Sequence, residues 1–267
     1  MRRGFSIILI VLTVLSVIGL GVYRFRAKQK ISGEAPVITF DSNLLEVTTD
    51  ATEAELMQGV TATDAEDGDV TDSLLIETST HFISDTTVEV TYAAFDSQGH
   101  VSKATRSVRY VNYTSPQFCL SGPMIFSESG VSELLSYIGA HDCIDGDISS
   151  RVKASAVEAG TLLSTPGEHP VEFRVTNSTG DTAYLKVTID VVSGYSTARQ
   201  IPLTDYLIYL PVGSEFDPAA YLSEDYASQR GLVIENGVDT EVPGVYDVYY
   251  TLDNSMTRLI VVVQEAG

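Results

Sequence analysis

Eight residues, Asp64 to Thr71, read Asp-Ala-Glu-Asp-Gly-Asp-Val-Thr, and Asp142 to Ser149 repeat them as Asp-Cys-Ile-Asp-Gly-Asp-Ile-Ser. The shared pattern is D-x-x-D-G-D-aliphatic-hydroxyl, and its Asp-Gly-Asp triplets begin at Asp67 and Asp145, 78 residues apart. The first copy offers four carboxylates within six residues (Asp64, Glu66, Asp67, Asp69), and the second offers three (Asp142, Asp145, Asp147). Hard oxygen ligands at alternating positions around a glycine suit a calcium loop, although the spacing is not that of an EF-hand. Calcium is therefore the candidate ligand, while nothing in the chain requires a cofactor. The same residues also suit a plain turn, because Asp bonds its own backbone and Gly supplies positive φ.

Other chemistry is hard to build from this sequence. The four histidines, His81, His100, His141 and His169, are scattered, and no H-E-x-x-H pair, G-x-S-x-G elbow or Gly-rich phosphate loop is present. The expectation is a protein that is not an enzyme. From Ile31 onward the chain has 10 basic and 36 acidic residues, a balance that repels nucleic acid and attracts cations. It also makes a well-solvated exterior.

The elements that must position these loops read as strands. A repeat of about 78 residues in a chain of 267, with an equal remainder, favours three domains. Pro36 to Phe40, Leu44 to Thr49, Val60 to Asp64 and Leu74 to Thr78 are strand candidates. Thr87 to Phe95 and Val101 to Val111 flank a glycine-containing turn, Asp96 to His100, which predicts a hairpin. The second copy follows in the same order: Ser115 to Leu120, Ile138 to Asp142, His169 to Asn177 and Ala183 to Val192. A third, degenerate copy keeps Val238 to Asn254 and Thr257 to Glu265 but has no Asp-Gly-Asp. Tyr92, Phe173 and Tyr250 occupy corresponding positions. Many short strands joined by turns, with little helical periodicity, indicate an all-β fold of sandwich type.

Phe5 to Tyr23 is an uncharged apolar run of 19 residues. As a helix it would span roughly 28 Å, close to a hydrocarbon core of ~30 Å. It reads as a transmembrane signal anchor rather than a cleaved leader. Basic residues lie on both sides of it: Arg2 and Arg3 before, and Arg24, Arg26, Lys28 and Lys30 after. Counting charges alone would keep the body inside.

With these motifs laid out, the chain resembles tandem immunoglobulin-like repeats of bacterial surface proteins, the cadherin-like or HYR-like kind. Those carry D-x-x-D-G-D-[VI]-[ST] early and P-G-x-[YH]-x-V-x-[YF] late, as at Pro166 to Phe173. The resemblance implies three immunoglobulin-like β-sandwich domains, at 34–112, 113–193 and 194–267. A cytoplasmic tail (1–4), the anchor (5–23) and a linker (24–33) would precede them. It further implies a cell-membrane location with an extracellular body, and work as a stalk or adhesion module for a surface protein or cell-wall polysaccharide. A carbohydrate-binding sensor or regulatory subunit is the alternative. In such a sandwich the loop after strand B lies at the same end as the F–G turn. Asp64, Asp67 and Asp69 should then approach Asp96, and Asp142, Asp145 and Asp147 should approach Asn177.

Cys119 and Cys143 are the two cysteines, one on the first strand of the second domain and one in its acidic loop. An even count in an exported domain predicts a disulfide, the alternative being two reduced thiols.

Overall fold

The computed structural model describes residues 33–84, 86–157, 162–196 and 199–265. These fall into two compact units, divided between Val111 and Asn112. Both are dominated by β-strands.

In the first unit, β1 (Val37–Phe40), β3 (Val60–Asp64) and β4 (Gly68–Asp69) make one antiparallel sheet. The other sheet has four strands, in the order β2 (Leu44–Val47), β7 (Val101–Tyr110), β6 (Thr87–Phe95) and β5 (Leu75–Ser84). The period-two pattern of β6 sends Val88, Val90, Tyr92 and Ala94 inward, where they meet Val60, Ala62, Leu74 and Val108. The buried Tyr92 hydroxyl donates to the Leu56 carbonyl at 2.7 Å, at the end of a single helical turn, Glu53–Leu56. That turn is held by a capping box between Thr52 and Glu55.

The second unit repeats the plan. A three-stranded sheet contains β8 (Gln117–Leu120), β10 (Ile138–Asp142) and β11 (Gly146–Asp147). A four-stranded sheet runs β9 (Ile125–Phe126), β14 (Thr182–Val191), β13 (Gly167–Thr176) and β12 (Lys153–Ala156). Beyond it, β15 (Leu207–Pro211), β18 (Ser255–Gln264), β17 (Gly244–Leu252) and β16 (Val233–Asn236) give a third four-stranded sheet with the same strand order. In all three, an early short strand pairs in parallel with the last strand, β2 with β7, β9 with β14 and β15 with β18.

The third region departs from the expected sandwich. Among the described residues it has no counterpart of the three-stranded sheet, only an isolated bridge between Leu203 and Leu222. The missing sheet is the one that carries the acidic hairpin in the other two repeats, so the lost motif and the lost sheet go together.

The last strand explains how this region is stabilised instead. Thr257 to Val261 are buried in succession, as in a strand covered on both faces. Leu259, Val261 and Val263 join Val248 and Tyr250 in one cluster. Ile260, only 1% exposed, and Leu207 pack instead with Phe118, Phe126, Val171 and Phe173 of the second repeat. Burying each such side chain contributes about 1.5–3 kcal/mol. The second and third regions therefore share a core.

The expected membrane location is corrected. Among the described residues no helix is long and apolar enough to cross a membrane, and the run Phe5 to Tyr23 lies outside the described residues.

The disulfide is also corrected, since Cys119 and Cys143 are both free. Cys119 pairs with Gly139 across β8 and β10, and His141 pairs with Gln117. Continuing that register places Cys143 beside residue 115, four positions from Cys119. That is about 13 Å along the strand, against a Cα separation below about 7 Å for a disulfide. The Cys143 thiol instead donates to the Thr114 carbonyl at 3.2 Å.

Candidate functional site

Each acidic stretch folds as a tight hairpin: Asp64 faces Gly68 across β3 and β4, and Asp142 faces Gly146 across β10 and β11. The glycines take φ of +79° and +69°, a region that costs a residue with a Cβ. The first aspartate closes the turn from inside. Asp64 Oδ1 accepts from the amides of Glu66 at 2.8 Å and Asp67 at 2.9 Å. Asp142 Oδ1 does the same for Ile144 and Asp145, both at 2.9 Å.

The second aspartate reaches across to the neighbouring hairpin. Asp67 accepts from the Ser97 amide at 2.6 Å and the Ser97 hydroxyl at 2.9 Å. Asp145 accepts from the Ser178 amide at 2.7 Å and the Ser178 hydroxyl at 2.6 Å, and Arg151 donates to it as well. Burial works to raise the Asp145 pKa, but the bonds from Ser178 and Arg151 outweigh it and leave the carboxyl below its ordinary value.

The third aspartate orients the hydroxyl residue that ends the motif. Asp69 accepts from the Thr71 amide at 3.0 Å and Asp147 from the Ser149 amide at 2.9 Å. Both carboxyls are lowered, first by the hydroxyl beside them and then by that amide. The Thr71 and Ser149 hydroxyls in turn accept from the amides of Ala62 and Ala140, each at 3.1 Å. Each of the three aspartates and the terminal hydroxyl of the pattern thus has a bond to make, and the second aspartate latches the acidic hairpin to the tip of the next one.

Asp96 and Asn177 head that second hairpin and face into their own turn. Asp96 Oδ1 accepts from the amides of Gln98 at 2.9 Å and His100 at 2.7 Å, and its other oxygen meets His100 Nδ1. Burial acts to raise Asp96, but the bonds from His100 win and lower it. Asn177 Oδ1 accepts from the Thr179 amide at 3.1 Å and the Asp181 amide at 2.9 Å. Asp96 stands opposite His100, whereas the second copy has Asn177 opposite Asp181, where a second carboxylate would repel. Asn177 Nδ2 also donates to buried Asp142 at 3.0 Å.

The structure therefore brings Asp67 and Asp145 to the hairpin tips. It does not gather the expected ligands around one point. Among the described residues no group of three His, Cys, Asp or Glu side chains could hold a metal ion.

A second constellation escaped the sequence reading. Arg258 on β18 is fully buried, 0% exposed. Its guanidinium donates to Asp190 Oδ2 at 3.1 Å, the Tyr249 hydroxyl at 3.1 Å, the Met124 carbonyl at 3.0 Å and the Thr188 carbonyl. Asp247 lies 3.5 Å from its Nε. Met124, Thr188 and Asp190 belong to the second repeat, so this single arginine bolts the two regions together. Burial pushes both Asp190 and Asp247 above the ordinary carboxylate value, with Arg258 opposing. A lone arginine inside an apolar strand, Thr-Arg-Leu-Ile-Val-Val-Val, was the available signal.

Fold and latch define an all-β protein of repeated strand order, two of whose repeats are sandwiches closed by acidic hairpins. No family model matches the chain, and no curated protein is significantly similar to it. Among solved structures, it is similar to a pair of CBM51-2 and INT domains from Clostridium perfringens ZmpB bound to GlcNAc, at 16% identity and a TM-score of 0.23. That match covers 58% of this chain and 41% of the other, so the chain spans about two fifths of the length of that structure. A lipoprotein from Bacteroides thetaiotaomicron is similar at 12% identity and a TM-score of 0.21, covering 84% of this chain and 98% of the other. The extracellular domain of protocadherin GammaB4 is similar at 12% identity and a TM-score of 0.20, covering 86% and 49%.

Proposed function

We propose that this chain is a non-catalytic spacer and interaction module of two immunoglobulin-like repeats and a third, degenerate one that lacks a sheet, the second and third fused into one stiff body. The Arg258 joint carries this reading. A buried guanidinium with backbone acceptors from the second repeat needs a fixed geometry, because leaving the guanidinium or its carboxylate partner unpaired is costly. A module that presents a surface to a protein or polysaccharide benefits from such stiffness, since less freedom is lost on binding. The motif aspartates Asp64, Asp67, Asp69, Asp142, Asp145 and Asp147 are each engaged by backbone amides within the latches, which supports a non-catalytic role. Hydrogen exchange on the full chain tests the fusion. The amides of β14 and β18 should be protected together in the wild type and lose protection together in Arg258→Met. Unchanged protection of β14 in that variant would contradict a stiff pair.

A further inference from the structure

We infer that the outer face of the second repeat's four-stranded sheet binds an acidic polysaccharide through the carboxylate of a sugar ring. This deepens the reading of the chain as an interaction module and rests on it. Lys153, Arg174 and Tyr184 lie directly opposite one another on β12, β13 and β14, so their side chains leave the same face. All three are exposed, Tyr184 by 59%. Arg151, Lys153, Arg174 and Thr176 line a concavity of about 290 Å³, at the small end of ligand-sized pockets.

Three of the ten basic residues after Ile31 thus meet at one place on a strongly acidic chain. Arg151 is engaged by Asp145. Lys153 and Arg174 form no ion pair with any described residue, and nearby Glu172 is taken by Lys186 at 3.4 Å. Like charges directly opposite each other destabilise a sheet, and the fold does not require them. The corresponding row in the first repeat is Leu75, Ala93 and Lys103, with Lys103 paired to Glu77 at 2.6 Å. In the third region it is Val233, Thr251 and Met256. Strand order is the same in all three, so the cationic row is an addition to a scaffold that stands without it.

The chemistry selects the ligand. An arginine fork beside a lysine fits a carboxylate. An exposed tyrosine next to them offers an apolar ring for the face of a sugar and a hydroxyl for its edge. An acidic peptide or a phosphate would use the two cations and leave the tyrosine idle.

Calorimetric titration of the full chain with galacturonic-acid oligomers tests this, with neutral galactose oligomers, polyglutamate and inorganic phosphate as separate arms. The galacturonate oligomer should bind and the neutral one should not. The double substitution Lys153→Ala with Arg174→Ala should weaken binding about tenfold or more. Tyr184→Ala should weaken it about three- to tenfold. Unchanged melting temperatures would show that the variants remain folded, as expected for surface positions. Absent galacturonate binding, or equal binding by the variants, would overturn the site. Polyglutamate or phosphate binding as tightly, with Tyr184→Ala indifferent, would overturn the sugar assignment. Loss of this binding with the Arg258 joint still protected would fail the site and leave the stiff-module reading in place.

Discussion

Replacing Arg258 by Met keeps most of the apolar stem and removes only the guanidinium. Four groups then lose a bond: the Asp190 carboxylate keeps only the Tyr249 hydroxyl at 3.3 Å, the Met124 carbonyl keeps the Asp190 amide at 2.9 Å, and the Tyr249 hydroxyl and Thr188 carbonyl lose the guanidinium. Removing one partner of a buried ion pair costs about 3–5 kcal/mol, and protonation of Asp190, already pushed upward by burial, relieves only part of it. For a unit of this size, that loss corresponds to a fall in melting temperature of roughly 6–20 °C. Hydrogen exchange on the full chain is the suitable assay, because it follows residues 112–267 separately from the first unit, whose protection should not change. Adding Asp190→Leu to Arg258→Met should restore part of the loss, because the orphaned charge is then gone. A loss below about 1 kcal/mol, or no recovery in the double variant, would refute the view that this arginine fastens the two regions.

Two further outcomes follow from the same structure. Asp190 and Asp247 are raised on folding, so they favour the folded state in acid, below the ordinary value near 3.8, and this contribution is lost as pH rises through their folded values. The lowered latch acids, Asp145 and Asp147, act oppositely and lose their contribution as pH falls. Denaturation of the full chain between about pH 7 and pH 4 should therefore show Asp190→Asn gaining less on acidification than the wild type, and identical profiles would contradict this. Thiol titration of unreduced, denatured protein should find both Cys119 and Cys143 reactive, and finding none would restore the disulfide.

The strands that alternate cleanly were legible in the sequence. Val60 to Asp64 and Thr87 to Phe95 were read with their observed limits, because one buried face leaves a period of two. β15 and β16 were not, and neither were the parallel pairings of β2, β9 and β15 with the last strands. Their partners are remote in the chain, and two to five residues carry too short a pattern. The latch was half legible. The spacing of Asp64, Asp67 and Asp69 marked a built loop, but four carboxylates say nothing of which donors meet them, and Ser97 and Ser178 lie about 30 residues away. Cys119 and Cys143 misled for a related reason, since their placement on strand and loop says nothing of the register between them. Arg258 stood out as a lone arginine in an apolar run, but its partners in the second repeat lie 68 to 134 residues earlier, and nothing in the run points to them.

The repeated acidic motif is a latch between two hairpins, and a double-mutant cycle of Asp145→Ala and Ser178→Ala in the full chain, run with millimolar calcium and again with chelator, tests this most directly. The latch predicts a coupling of about 0.5–3 kcal/mol between the two positions, the same in both buffers, with a wild-type midpoint indifferent to calcium. Additive substitutions, together with a calcium-dependent midpoint that Asp145→Ala abolishes, would make the loop a metal site and contradict the account.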